Sequence, residues 1–204
     1  DYMWSTLRAH PTCAGKLVEL FHARFDPRAA AETRSQREAE IAAEIEEALK
    51  AVPSLDEDRI LRHFVNAVQS AIRTNFYQLD KDGLPKQQIA IKYESRKLLT
   101  LPAPRPLYEI FVYSPRVEGV HLRFGKVARG GIRWSDRPQD FRTEVLGLVK
   151  AQQVKNAVIV PVGAKGGFVP KQLPPASDRQ AWLAEGIESY KIFIRTMLEL
   201  TETI

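Results

Sequence analysis

The sequence predicts an α/β protein, in which a mixed sheet is covered by helices and preceded by a helical segment. Three observations carry this. Apolar residues recur at helical spacing through the first 76 positions, and strand-like alternation with turn residues follows from 88 to 134. After that hairpin pattern the chain reads strand–helix–strand–helix, the order of a mixed sheet with helices packed on it.

The elements follow in order. Residues 4–25 read as a helix, with Leu17, Leu20, Phe21 and Phe25 at helical spacing and interruptions at Pro11 and Gly15. Asp26-Pro27 ends it, because a residue before proline is steered away from the helical region. Residues 32–51 predict a highly charged helix with a narrow apolar stripe, Ile41, Ile45 and Leu49, and a solvated remainder. Ser54 followed by Glu57 is a capping-box signature for a third helix, expected to run to about Phe76 on Ile60, Phe64, Val68 and Ile72.

Asp80 to Gly83 is turn chemistry. Residues 88–93 alternate as a strand, residues 108–114 predict a second, and residues 120–134 a third, with a turn at Glu118-Gly119. That reading makes an antiparallel hairpin with Ile110, Val112, Val120 and Leu122 on one buried face. Residues 139–154 predict a helix, 157–162 a buried strand, 163–167 a turn, and 177–203 a final helix.

Composition bounds the function. The 204 residues are 44% hydrophobic and 27% charged, ordinary values for a globular chain with a real core. A net charge of +5 is spread along the sequence, which argues against a nucleic-acid partner. Cys13 is the single cysteine, so there is no internal disulfide and no zinc-like spacing, and no metal is expected. No apolar run approaches the roughly twenty residues of a membrane helix, and the first residues lack signal-peptide character. The expectation is a cytoplasmic protein, with no membrane partner. The chain starts without methionine and ends inside a helical pattern, so it reads as a piece of something longer.

The chemistry concentrates between Lys126 and Val169. Gly163-Ala-Lys165-Gly166-Gly167 is neither a Walker loop, lacking the upstream glycine and the following Ser/Thr, nor a dinucleotide fingerprint. Taken alone it is either a tight turn with an exposed lysine or a lysine held at a strand end among residues without bulk, where ligands of open α/β sheets sit. Partial desolvation beside another cation, Lys155, would prepare such an amine for acid–base work. Arg129 precedes the glycine pair Gly130 and Gly131, read as ending a strand. Around one pocket, these three cations would suit a small dicarboxylate.

The run VARGGIRWSDRPQDFRTEVLGLVKAQQVKNAVIVPVGAKGGF resembles the catalytic core of the large bacterial NAD-dependent glutamate dehydrogenases over about residues 120–170. The smaller hexameric glutamate dehydrogenases share an analogous order of Lys-Gly-Gly-x-Arg, a helix ending in a substrate lysine, and Gly-Gly-Ala-Lys-Gly-Gly. The resemblance implies oxidative deamination of L-glutamate to 2-oxoglutarate and ammonia with NAD as hydride acceptor. It implies Lys165 as the catalytic lysine, which helps water attack the imine formed after hydride loss. Lys155 matches the lysine that pairs with the substrate α-carboxylate, and Gln152 a glutamine near the same group. Arg129, with Gly130 and Gly131, falls where the smaller enzymes hold the side-chain carboxylate with a lysine. Two departures stand out: Arg129 for that lysine, and Val162 for the first glycine of the lysine loop.

The resemblance further implies a division into a helical segment, 1–76, and a substrate-binding part of the catalytic domain, 77–204. The catalytic aspartate and the NAD-binding Rossmann domain are expected beyond residue 204, which would leave this chain inactive alone. A homo-oligomeric parent is expected. The alternative is an assembly module, in which Ile41, Ile45 and Leu49 face a partner subunit.

Overall fold

The computed structural model describes residues 2–125, 130–156 and 163–202, without the side chains of 152–156 and 201–202. Two compact units emerge, one of residues 1–71 with 97–100, the other of residues 72–96 with 101–204.

The first unit is helical. Pro11 occupies the first turn of its helix, where a missing N–H costs nothing, so the single helix expected over 4–25 divides into α1 (Tyr2–Ala9) and α2 (Pro11–Phe25). Then come α3 (Ala31–Leu49) and α4 (Leu55–Ser70). Ser54 accepts a hydrogen bond from the Glu57 backbone N–H, as the capping signature predicts. The Glu57 carboxylate turns to His10 instead, at 3.0 Å. Ile41, Ile45 and Leu49 are almost fully buried with Leu17, Leu20, Leu61 and Val65. That corrects the expectation that this stripe faces a partner: α2 and α4 already cover it. The charged face of α3 is partly paired with α2, through Lys16–Glu44 at 2.6 Å and through Arg24–Glu38.

Helix α4 stops at Ser70, not near Phe76. Strand β1 (Ala71–Thr74) takes over at the edge of a sheet. The four-residue apolar spacing continues through Ile72, but sheet pairing overrides it. Asn75, after the strand, replaces ladder bonds with its side chain by accepting from the Ala90 N–H and donating to the Gln88 carbonyl.

The second unit is a six-stranded sheet ordered β1-β2-β3-β4-β6-β5, with β2 (Ile89–Glu94), β3 (Tyr108–Tyr113), β4 (Val117–Arg123), β5 (Ile132–Trp134) and β6 (Ala164–Pro170). Strands β2, β3, β4 and β6 pair antiparallel, and β5 pairs parallel with β6. Helix α5 (Phe141–Asn156) joins β5 to β6, and α6 (Arg179–Glu202) follows. The expected mixed sheet covered by helices is what forms: α6 packs on one face around Val112, Phe168 and Phe193, and α5 on the other around Val120, Leu122 and Val145. No helix among the described residues is long and apolar enough to cross a membrane.

The hairpin differs from its prediction in a way that matters. Its turn lies at Ser114–Arg116, where the Ser114 hydroxyl accepts from the N–H groups of Arg116 and Val117, and Glu118 and Gly119 belong to β4. The register sets Ile110 opposite His121 and Phe111 opposite Val120. Side chains alternate between faces, so Ile110 and Val112 point to α6 while Val120 and Leu122 point to α5. Helices cover both faces, so both sets can be apolar. Gly119 is placed by packing and not by turning: a Cβ there would lie 2.4 Å from the Phe193 ring. Strand β5 is also separate from β4, on the far side of β6, where one strand over 120–134 was expected.

Candidate active site

The glycines around Lys165 build a strand, not a turn. Residues 164–170 pair with β4 along their whole length, Lys165 opposite Leu122 and Gly166 opposite His121. The expected turn at 163–167 is therefore a correction. The strand expected at 157–162 lies outside the described residues. Glycine in a strand marks close approach of other atoms, and each glycine here has such a neighbour. A Cβ on Gly166 would meet the Ile132 side chain at 2.6 Å, and one on Gly167 would meet Val145 of α5 at 2.5 Å.

Gly130 and Gly131 come immediately before β5, which starts at Ile132, where the sequence reading had them ending a strand. A Cβ on Gly130 would lie 1.3 Å from the Ala164 carbonyl oxygen, so no other residue fits this backbone path. The Gly131 carbonyl accepts a hydrogen bond from the Gly166 N–H at 3.0 Å, and the Cβ position of Gly131 is 3.8 Å from Lys165 Nζ. The two glycine pairs, 35 or more residues apart in the chain, thus interlock beside one lysine amine. Lys165 is half-buried on the α5 face of the sheet.

Topology supplies the rest of the neighbourhood. Helix α5 returns the chain from the end of β5 toward the start of β6, and its last turns carry Gln152 and Lys155. The side chains of Gln152 and Lys155 lie outside the described residues, and so does Arg129 as a whole. Two ionic ties that sequence reading missed hold α5 in place. Arg142 clasps Glu109 of β3 with two parallel bonds of 2.6 and 2.7 Å, Glu109 being 6% exposed. Glu144 accepts from the Ser135 hydroxyl at 2.7 Å and pairs with Arg133 of β5. A carboxylate on the inward phase of a strand, as at Glu109, was the available signal.

The elements around Lys165 form a β-α-β unit that presents a lysine amine at the start of its second strand, with glycine instead of side chains beside it. The chain belongs to the bacterial NAD-glutamate dehydrogenase family. Residues 44–204 match its catalytic domain, and residues 1–27 match glutamate dehydrogenase helical motif 3. The whole chain is 53% identical to an NAD-specific glutamate dehydrogenase of Halomonas elongata, 54% to one of Pseudomonas aeruginosa and 53% to one of Mycobacterium tuberculosis. It spans 12–13% of the length of these relatives.

Proposed function

We propose that this chain is the part of an NAD-dependent glutamate dehydrogenase that binds L-glutamate and supplies its catalytic lysine. The observation that carries this reading is Lys165 Nζ standing 3.8 Å from the Cβ position of Gly131, on a strand paired with β5 where glycines at 130 and 166 allow close approach. The amine has an open flank on which a small substrate fits, and a rigid base that fixes where it points. On this reading the reaction is oxidative deamination of glutamate to 2-oxoglutarate and ammonia.

Lys165 takes up and returns the proton of the water that attacks the imine carbon. Lys155 holds the α-carboxylate as a charge-assisted pair, with Gln152 one turn earlier near the same group. Arg129 is assigned to the side-chain carboxylate, which a guanidinium can hold with two bonds. Backbone at Gly130 and Gly131 lets that carboxylate approach. On this reading a helical segment, expected as 1–76, precedes the substrate-binding part, expected as 77–204, while the compact units of the fold divide at residue 71.

Gly166 and Gly167 lie in β6, with Gly163 just before it, and none of them opens a helix as the glycines of a dinucleotide cradle do. NAD, the hydride acceptor of the proposed reaction, is assigned to the remainder of the parent enzyme. The same reading makes that parent a cytoplasmic homo-oligomer.

The test is Lys165→Ala in the full-length enzyme. Loss of a positioned acid–base group lowers kcat by about 100-fold or more with NAD affinity retained. An unchanged kcat would remove Lys165 from the reaction. Lys155→Ala raises the KM for glutamate more than it lowers kcat. On this reading the isolated chain is expected not to reduce NAD with glutamate, and NADH formation by it would overturn that expectation.

A further inference from the structure

The α6 face of the sheet carries a second feature, which the reaction at Lys165 does not use. A pocket of about 300 Å³ opens between β2, β3, β4, β5 and α6. Three of its nine lining residues are basic, Lys92, His121 and Arg123, and none is acidic. Tyr108 and apolar side chains such as Ile110, Ile132 and Met197 make up most of the remainder.

Strand register explains why the basic groups converge. Lys92 is opposite Ile110, Ile110 opposite His121, and His121 opposite Gly166, so these positions form one row across the sheet on its α6 side. Arg123 follows His121 by two residues and shares its face. Lys165 is opposite Leu122, one residue out of phase, and so belongs to the other face.

Lys92 and Arg123 bring like charges to one pocket beside the His121 imidazole. Lys92 Nζ lies 4.5 Å from the centre of the Tyr108 ring and has no carboxylate partner among the described residues. Burial, then Arg73 and Arg123, pushes Lys92 below the ordinary lysine range, and burial followed by Arg123 lowers His121 likewise. Glu94 sits two residues along β2 from Lys92 but does not line the pocket. Arg123, which also lines the pocket, donates from Nε to the Gly125 carbonyl. Partly desolvated like charges gathered over an apolar floor are stabilised by an anion with an apolar body.

We propose that this pocket binds a small organic anion, a carboxylate or phosphate on an apolar or aromatic body, held by Lys92, His121 and Arg123 on the face of the sheet opposite Lys165. The volume equals roughly ten water molecules, enough for a single ring with its anionic group. Gly166 contributes from beneath. Its missing side chain leaves the space that His121 and Ile132 occupy, since a Cβ there would crowd both.

Calorimetric titration of the full-length enzyme with phenyl phosphate and with benzoate, and with benzyl alcohol as the neutral control, tests this. Either anion binds and the alcohol does not, and the stronger of the two identifies the preferred headgroup. Saturating glutamate leaves that binding unchanged. Lys92→Met weakens it by about tenfold, the loss of one charge-assisted bond, while Lys92→Arg retains it. Met197→Trp, which fills the pocket from α6, abolishes it without touching a charge. The basal kcat with glutamate survives both Lys92→Met and Met197→Trp. Failure of both anions to bind, displacement by glutamate, or wild-type affinity in Met197→Trp would each overturn the proposal. None of these outcomes bears on the role of Lys165, which is read from kcat.

Discussion

Gly130 lies directly against Ala164: the Cβ of any other residue at 130 would sit 1.3 Å from the Ala164 carbonyl oxygen. Because the obstacle is backbone, no rotamer change relieves it. Gly130→Ala must push β5 away from β6, at a cost of about 3 kcal/mol or more, the upper end for overpacking. Gly131→Ala, by contrast, meets among the described residues the Lys165 amine at ordinary contact distance. Chemical denaturation of the two variants should show a large loss for Gly130→Ala and a small one for Gly131→Ala. In the full-length enzyme, Gly131→Ala should raise the KM for glutamate, because its methyl group fills the open flank of Lys165. Equal stability losses would show that the backbone contact is not what requires glycine.

The Glu109–Arg142 clasp ties α5 to β3 and is the deepest ion pair of the sheet unit among the described residues. Removing one partner leaves the other buried without compensation. Arg142→Ala therefore lowers stability by about 3 kcal/mol. The pair replaced together, Glu109→Leu with Arg142→Met, recovers most of that loss. Urea midpoints of the three proteins form the check. A double variant as unstable as the single one would mean that the pair contributes more than its mutual neutralisation.

Strand β5 has only three residues and one neighbour, so side-chain packing must hold it. Trp134 does so, stacked on Trp182 of α6 at 4.2 Å between ring centres and lying over Gly186, whose Cβ position is 2.0 Å from the indole. Trp134→Ala costs about 3 kcal/mol, at the lower end for an aromatic because the ring is only partly buried. Hydrogen exchange should show the loss concentrated at the Gly166 N–H, which donates to Gly131. Protection there at the wild-type level would detach β5 from the indole's control.

Tyr93 gives the fold an alkaline limit. Burial, reinforced by the nearby Glu109 charge, raises its hydroxyl to about 12 from an ordinary value of about 10. A raised value in the folded state means that the unfolded chain ionises first. The stabilisation is therefore complete below pH ~10 and is lost as pH rises toward ~12. Its size is of order 2 kcal/mol. The difference in unfolding free energy between wild type and Tyr93→Phe, measured from pH 8 to 12, should shrink across that window. A pH-independent difference would show the hydroxyl to be equally ionisable in both states.

Much of this protein was legible because its signals are local. Helical spacing, the Ser54 cap and the Asp80–Gly83 turn depend on neighbours a few residues away, and the structure has them where expected. The long run from Val127 to Phe168 carried the family for the same reason: residue types in order are a property of the chain itself. What failed needed partners distant in sequence. The hairpin turn came three residues early, and because side chains alternate, Ile110 and Val120 went to opposite faces. Ile72 left the helix for a sheet edge that residues 89–94 provide. Lys92, His121 and Arg123 look like solvated strand residues until cross-strand register gathers them.

The glycines show where the division falls. The sequence by itself determined that Lys165 would stand among residues without side chains, and that Gly130 and Gly131 would accompany it. Only the tertiary structure decided what those missing side chains are for. Gly130 admits the Ala164 carbonyl, Gly166 admits Ile132, and Gly167 admits Val145. The space a glycine leaves is filled by whichever element packs against it, and that choice is made by strand order and register, which no single stretch of chain contains.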